Sequence, residues 1–302
     1  MAGPITTGNH PKLMWPGIKG LWGRTYNEHP LECVDLFDQE TSTQNYEEVV
    51  EVTGFGLAPI KKEGAGVSFD SETQGTVSRF THASIALGYI VTKEEMDDNL
   101  YEPKAKPRAV ANAFSMRQTK ETIGANVYNN GFDTAYAGGD GKPLFSATHP
   151  TRTGSQSNVL TAADLSEASI EDGLIQIMLV LNSRGLKINL VGQSLHVHPN
   201  DFFEANRIMK SVLQNDTANN AVNVLRATGM LPKGIKLNHY FTDTDAWFIR
   251  TNAPRGMMHF TRQKAVLTRD NDFNTGNAKA KSWERYIDGW GDWRGNFGNP
   301  GV

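Results

Sequence analysis

A single cysteine, Cys33, stands in a chain of 302 residues. One thiol excludes an internal disulfide framework and any multi-cysteine metal site, and it suits a reducing compartment. An excess of charge of one sign is also lacking. The 30 basic and 33 acidic residues leave a formal net charge of -3, too balanced for the electrostatic footprint of a strong nucleic-acid or anionic-lipid binder. Any DNA contact is therefore expected to be weak and unspecific. No apolar run approaches membrane-spanning length, and the N-terminus shows neither a charged-then-apolar signal nor a small-residue cleavage pattern. Internal repeats and low-complexity segments are missing too. The expectation is a soluble protein that stays where it is made, large enough for two packed regions that can interleave.

The most informative segment present is 46–98. Val50 and Val52 alternate with Glu51 and Thr53, glycines crowd a tip at Gly54, Gly56, Gly64 and Gly66, and Ala83, Ile85, Leu87, Tyr89 and Val91 alternate on a return strand. Period two is the strand signature. Thr92, Lys93, Glu94 and Glu95 then read as a capping box, so strand passes directly into helix. The ribbon carries too little apolar surface for a core of its own, and an isolated hairpin is marginal in water. Its partner is expected on another chain, which points to assembly rather than chemistry.

Elsewhere the pattern is mixed helix and strand. Residues 1–45 combine Gly, Pro and aromatics without a sustained period and read as an arm lying across other structure. Pro103 and Pro107 punctuate a basic stretch, after which a long helix is predicted over 109–130, with Gly131 as its stop. Ala109, Ala113, Met116, Ile123 and Val127 share its apolar side; Ser115, Gln118, Thr122 and Asn126 share its wet side. Residues 134–157 are turn-rich. A second helix is expected from an Asp164 cap with Glu167 three residues on, burying Ile170, Leu174, Ile177, Met178 and Leu181 and running to Gly185. A third is expected to begin near Asn200 and Asp201, burying Phe202, Phe203, Ile208, Met209, Val212 and Leu213. Strands are predicted at 186–190, 195–197, 222–225, 235–241 and 246–250, with Thr242 to Asp245 as a turn. The tail, 257–293, returns to strand alternation.

Candidate chemical motifs are incomplete. His196 and His198 have metal-ligand spacing on one side of a strand, but no third ligand accompanies them. His149 before Pro150 reads as a turn residue. The pairs Gly54/Gly56 and Gly64/Gly66 lack the third glycine and following helix of a dinucleotide cradle. Ser194 lies near His196, yet a nucleophile elbow needs a glycine at position 196 and a helix after it. Asp140 with Asp164, or Asp243 with Asp245, fits turns and caps better than acid–base work. The aromatic tail (Trp283, Tyr286, Trp290, Trp293, Phe297) interleaves acids with bases, which favours packing over a single-strand stacking platform. No catalytic, cofactor-binding or metal residue is assigned.

The order of elements resembles the Hong Kong 97-type major capsid protein of tailed bacteriophages, an α+β fold. Local wording is similar to the Mu-like major head subunits: Gly141-Lys142-Pro143-Leu144-Phe145-Ser146-Ala147-Thr148-His149-Pro150, then Ser157-Asn158, Leu165-Ser166-Glu167-Ala168-Ser169, Phe203-Glu204-Ala205-Asn206-Arg207-Ile208, and Thr242-Asp243-Thr244-Asp245-Ala246-Trp247-Phe248. The resemblance covers most of the chain from residue 46 onward. It implies an N-terminal arm (1–45), an extended hairpin or E-loop (46–91), a P domain with a spine helix (92–159), an A domain (160–250) and return strands completing the P domain (251–302). It further implies hexamers and pentamers in an icosahedral shell around double-stranded DNA, assembly in the host bacterial cytoplasm, a portal and possible decoration proteins. No long charged helix precedes the arm, so a separate scaffolding protein is expected. Some shells of this fold join subunits by a lysine–asparagine isopeptide. Lys61 and Lys62 sit at the ribbon tip, but with no asparagine or carboxylate in view they read as solvated charges that discourage wrong edge pairing. The competing expectations are an encapsulin-like shell that packages protein, and a soluble hydrolase built on His149, Ser194 and His196.

Overall fold

The computed structural model describes residues 11–28, 30–98, 101–214, 221–272 and 274–302. Its first half contains helices Pro11–Tyr26 (α1) and Cys33–Leu36 (α2), strands Asp38–Thr41 (β1), Tyr46–Val52 (β2), Gln74–Thr81 (β3) and Ala83–Val91 (β4), and helices Lys93–Asp97 (α3) and Tyr101–Asn129 (α4). The middle has strands His149–Thr151 (β5) and Gly154–Gln156 (β6), helix Glu167–Leu179 (α5), strand Gly192–Val197 (β7), and helices Phe202–Lys210 (α6) and Val224–Thr228 (α7). Strands Ile235–Leu237 (β8), Trp247–Thr251 (β9), Met257–Asn271 (β10), Ala278–Trp290 (β11) and Asn296–Asn299 (β12) follow.

Two four-stranded sheets organise these elements, in the orders β1-β10-β11-β4 and β12-β9-β7-β8. The first is centred on the long β10–β11 hairpin and is backed by α4 and α1. Ile18, Trp22 and Tyr26 recur every four residues, share one face of α1, and pack with Ala109, Ala113, Met116 and Leu267. Trp22 donates through Nε1 to Asn112 Oδ1 (2.9 Å), while Asn112 Nδ2 donates to the Leu87 carbonyl (3.1 Å), tying α1, α4 and β4 together. Residues 11–26 of the expected arm form a helix that packs on α4. Its Pro16, Gly17, Gly20 and Gly23 hid it, because propensity opposes what tertiary packing stabilises.

The second sheet carries α5 and α6 over the apolar cluster of Leu174, Ile177, Leu195, Ile208, Trp247 and Phe297. Between the sheets, Tyr128 from α4 is fully buried among Leu36, Phe145, Phe241 and Phe248, its hydroxyl donating to the Leu36 carbonyl (3.0 Å). The tail divides between both sheets: β10 and β11 complete the first, and β12 pairs with β9 in the second.

Several boundaries differ from the sequence expectation. The partner of β2 is β3, with Tyr46 opposite Thr81 and Val50 opposite Val77. The alternating strand 83–91 pairs instead with β11, Ala83 opposite Tyr286 and Val91 opposite Ala278. Helix α4 begins at Tyr101, eight residues before the predicted start, and contains Pro107. A proline there costs about 3 kcal/mol, offset by packing and by the next residue, Arg108, which forks onto Glu95 at 2.8 and 2.9 Å. Thr92 caps α3 by accepting from the Glu95 amide (3.3 Å). On α4 the buried stripe includes Asn112, Arg117 and Glu121, whereas Ile123 and Val127 are only half-buried.

Helix α5 is capped by Ser166 and Ser169 in a reciprocal box rather than by Asp164 and Glu167, and it ends at Leu179, not Gly185. Ile170, Leu174 and Ile177 are buried as expected, but Met178 is exposed. Phe203, Val212 and Leu213, expected to be buried on the third helix, are exposed, and its buried residues are Ala205 and Ile208. The segment predicted as strand 222–225 starts α7, capped by Asn223. Residues 186–190 form no strand, and 235–241 is strand only to Leu237. Asp243 Oδ1 accepts from the Asp245 and Ala246 amides (3.1 and 3.3 Å), which is the local bonding expected of that turn.

Candidate assembly surface

Past the β2–β3 hairpin, residues 53–73 form no regular element, and they present apolar side chains to solvent: Leu57 is 82% exposed, Ile60 99% and Phe69 93%. A monomer gains nothing from such exposure, and five large apolar side chains exposed in one loop (Phe55, Leu57, Ile60, Val67 and Phe69) make it the candidate interaction site. Only the base of the loop is held. The Thr53 and Thr73 hydroxyls meet at 3.1 Å, the Gly56 amide donates to Asp70 Oδ2 (2.7 Å), and Arg184 pairs with the same carboxylate (2.5 Å) while also donating to the Ser71 carbonyl. Asp70 is held below its ordinary range, chiefly by the Gly56 and Ser71 amides. Gly54 and Gly64 adopt left-handed backbone (φ 65° and 76°) that shapes the loop, a conformation costly for other residues. Lys61 and Lys62 lie exposed at the tip. Below the base, Gly139 approaches β3 so closely that a Cβ would strike the Val77 carbonyl.

Behind the hairpin lies a buried polar hub that no local pattern revealed. Asn158 is fully buried and donates through Nδ2 to the carbonyls of Leu144 (2.7 Å), Trp293 (3.2 Å) and Asn296 (3.0 Å). Its Oδ1 accepts from the Ser146 amide (2.9 Å) and lies 3.0 Å from His149 Nε2. Because the amide nitrogen is committed to carbonyls, Oδ1 must accept, and His149 Nε2 is the donor. His149 Nδ1 contacts Asp140 Oδ2 at 2.6 Å, and its ring stacks on Trp293 at 4.6 Å. His149 is thus a buried tie starting β5, not a turn residue. A second cluster joins Glu284, whose carboxyl is pushed up chiefly by burial, to Tyr26 (3.0 Å) and Lys120 (3.9 Å). Glu121, likewise raised by burial, accepts from the Glu32 and Cys33 amides (2.9 and 2.8 Å) at the start of α2.

The sequence's chemical candidates do not converge. Ser194 Oγ meets His196 Nε2 at 2.9 Å, a nucleophile–base distance. Both are buried, however, and His196 Nδ1 finds no partner, so the orienting third group of a triad is missing among the described residues. Burial first, then Arg250, pushes His196 down to about 3, which keeps the imidazole neutral. His198 lies past the end of β7, where its Nδ1 accepts from the Asn200 amide (3.2 Å). No group of three metal-ligating side chains occurs among the described residues. Asp140 serves His149, the Asp164 carbonyl accepts from Ser169, and Asp243 closes its turn. Tyr286, Trp293 and Phe297 are buried, so the aromatic tail packs inward. No described helix is long and apolar enough to cross a membrane.

A profile of the family described as phage capsid protein matches residues 77–297, well over half of the chain. The chain belongs to that family. This capsid protein also shares its fold with several solved structures. The virus-like particle protein from Pyrococcus furiosus matches with a TM-score of 0.53 and 10% identity over 94% of this chain and 98% of that one. The mature capsid of bacteriophage PhiM1 gives 0.54 and 12%, covering 87% and 84%, and Mycobacterium phage Patience gives 0.53 and 9%, covering 99% and 92%. A search of the curated proteins finds no match. The fold is the α+β Hong Kong 97-type, and the protein is a structural subunit of a phage capsid.

Proposed function

We propose that this capsid protein is the major head subunit of a Mu-like tailed phage, assembling into hexamers and pentamers of an icosahedral shell around double-stranded DNA. The observation that carries the reading is the loop 53–73, with apolar side chains projecting into solvent from a chain of the capsid family. In this reading 46–91 is the E-loop, laid over an adjacent subunit, and 1–45 is the arm. Residues 92–159 and 251–302 make the P domain, with α4 as its spine helix, and 160–250 is the A domain. Many modest contacts within one closed particle give a combined strength far above that of any single interface. A separate scaffolding protein, a portal and decoration proteins complete the assembly, which takes place in the host bacterial cytoplasm. Packaged DNA meets the inner surface without sequence preference, as the near-balanced charge requires. The subunit contributes no catalytic residue and no cofactor.

Negative-stain electron microscopy of the purified protein tests this. Shells or hexameric and pentameric capsomers are expected. A monodisperse small particle at every concentration would overturn the reading, and shells filled with protein in the producing cell would favour an encapsulin-like compartment instead.

A further inference from the structure

Two exposed apolar faces remain on the region built around the second sheet, and they differ in charge. On α5, Glu171 and Asp172 lie one turn before Ile175 and two turns before Met178 and Leu179; Ile175 is 50% exposed and Leu179 64%. This face is acid and apolar. The other face spans α6, residues 211–214 and 221–223, and α7: Phe203, Val212, Val222 and Val224 are exposed, and the charges among its described residues are Glu204, Arg207, Lys210 and Arg226. That face is basic and apolar. Among the described residues, neither Lys210 nor Arg226 has a carboxylate partner and neither Glu171 nor Asp172 has a basic partner, whereas Arg207 is already paired with Glu204 at 2.9 Å.

The two faces sit at different places on one sheet. A Cβ at Gly173 would contact Ile249 at 3.4 Å, which places α5 over β9, while α6 packs against the edge strand β8. Strands β9 and β8 are separated by β7. We propose that the acid and apolar face of α5 in one subunit docks on the basic and apolar face of α6 and α7 in a second copy of this chain. Opposite charges on separate faces of one chain fit a heterologous contact, which repeats from copy to copy and makes a ring where the rotation between copies closes; a two-fold contact in which each face met its own copy would set like charges against each other. The proposal rests on the shell reading and names the surfaces by which neighbours meet around a capsomer.

The test uses the full chain. Reversing one face (Glu171→Lys with Asp172→Lys) or the other (Lys210→Glu with Arg226→Glu) is expected to lower the yield of capsomers and shells by about tenfold or more. Circular dichroism and thermal unfolding should remain those of the wild type. Combining all four substitutions is expected to restore assembly. In parallel, a flexible bis-maleimide added to the Ile175→Cys, Val224→Cys double variant should produce covalent bands extending beyond the dimer. Either single variant should give none, because the native Cys33 is buried. Undiminished assembly of both reversed variants, no recovery in the combined one, or a covalent dimer from Ile175→Cys alone would overturn the proposal. With wild-type shells present, those results leave the shell reading standing; a wild type that forms neither shells nor capsomers defeats both.

Discussion

The loop 53–73 and the segment 241–249 are both rich in large apolar side chains, yet they behave in opposite ways. Phe55, Leu57, Ile60 and Phe69 project into solvent, while Phe241, Trp247, Phe248 and Ile249 are buried. The difference lies in what surrounds them. Strand β9 is flanked by β12 and β7 and covered by α5, so each of its side chains has a neighbour on its own chain. The loop leaves the hairpin with no strand beside it and is held only through Thr53, Asp70 and Arg184. Fully burying each such side chain contributes roughly 1.5–3 kcal/mol. One region realises this on folding, and the other leaves it unrealised in the single subunit.

If that division holds, substitutions in the two regions separate folding from assembly. The largest effect is expected in the core of the second sheet. Leu174→Asp or Ile177→Asp puts an unpaired charge at a buried position on α5, a cost of several kcal/mol that approaches the whole stability margin. Insoluble or unfolded protein is expected, and soluble variants that assemble normally would refute the packing described. Asn158→Ala comes next. It leaves three carbonyls and the Ser146 amide without their partner, and is expected to cost roughly 3 kcal/mol. A lower denaturation midpoint at unchanged slope would register it.

Within one pH unit below about 6.5 a pH effect is smaller, and it has a definite sign. His196 is neutral in the folded protein down to about 3, whereas in the unfolded chain it protonates near 6.5. Its folded value is depressed, so the stability it contributes is fully present above about pH 6.5 and is lost as pH falls towards 3, by at most ~1.4 kcal/mol per pH unit. In His196→Gln the fall in stability with acid over this range should be shallower, as urea unfolding at a series of pH values would show. An identical pH profile in the variant would mean that the imidazole is not held neutral by the fold.

On the loop side, deleting residues 59–66 is expected to leave the subunit folded and soluble by circular dichroism and sizing while abolishing stable shells. Global unfolding of the deletion would mean that the tip supports its own chain. The smallest expected effect is at Lys61 and Lys62: mature particles boiled in detergent should run as free subunits near 33.3 kDa. A covalent ladder lost in Lys61→Ala or Lys62→Ala particles would reveal a cross-linking site at the tip.

The sequence by itself determined what depends on neighbours a few residues away. Period two announced β2, β4 and the long strands of the tail, period 3.6 announced the Ile170, Leu174 and Ile177 face of α5, and the Thr242 to Asp245 turn followed from local side-chain bonding. The strings that resemble phage head subunits pointed to the family that the profile over residues 77–297 shows. Only the tertiary structure decided which strand pairs with which, because alternation marks a strand without naming its partner: 83–91 looked like the return of the hairpin, yet its ladder is with 278–290. It also decided that α1 forms despite its glycines and that α4 runs through Pro107. The role of Asn158 was illegible for the same reason. Two of its carbonyl partners lie 135 and 138 residues away, and a buried amide is specified by the groups that fold around it rather than by the residues beside it.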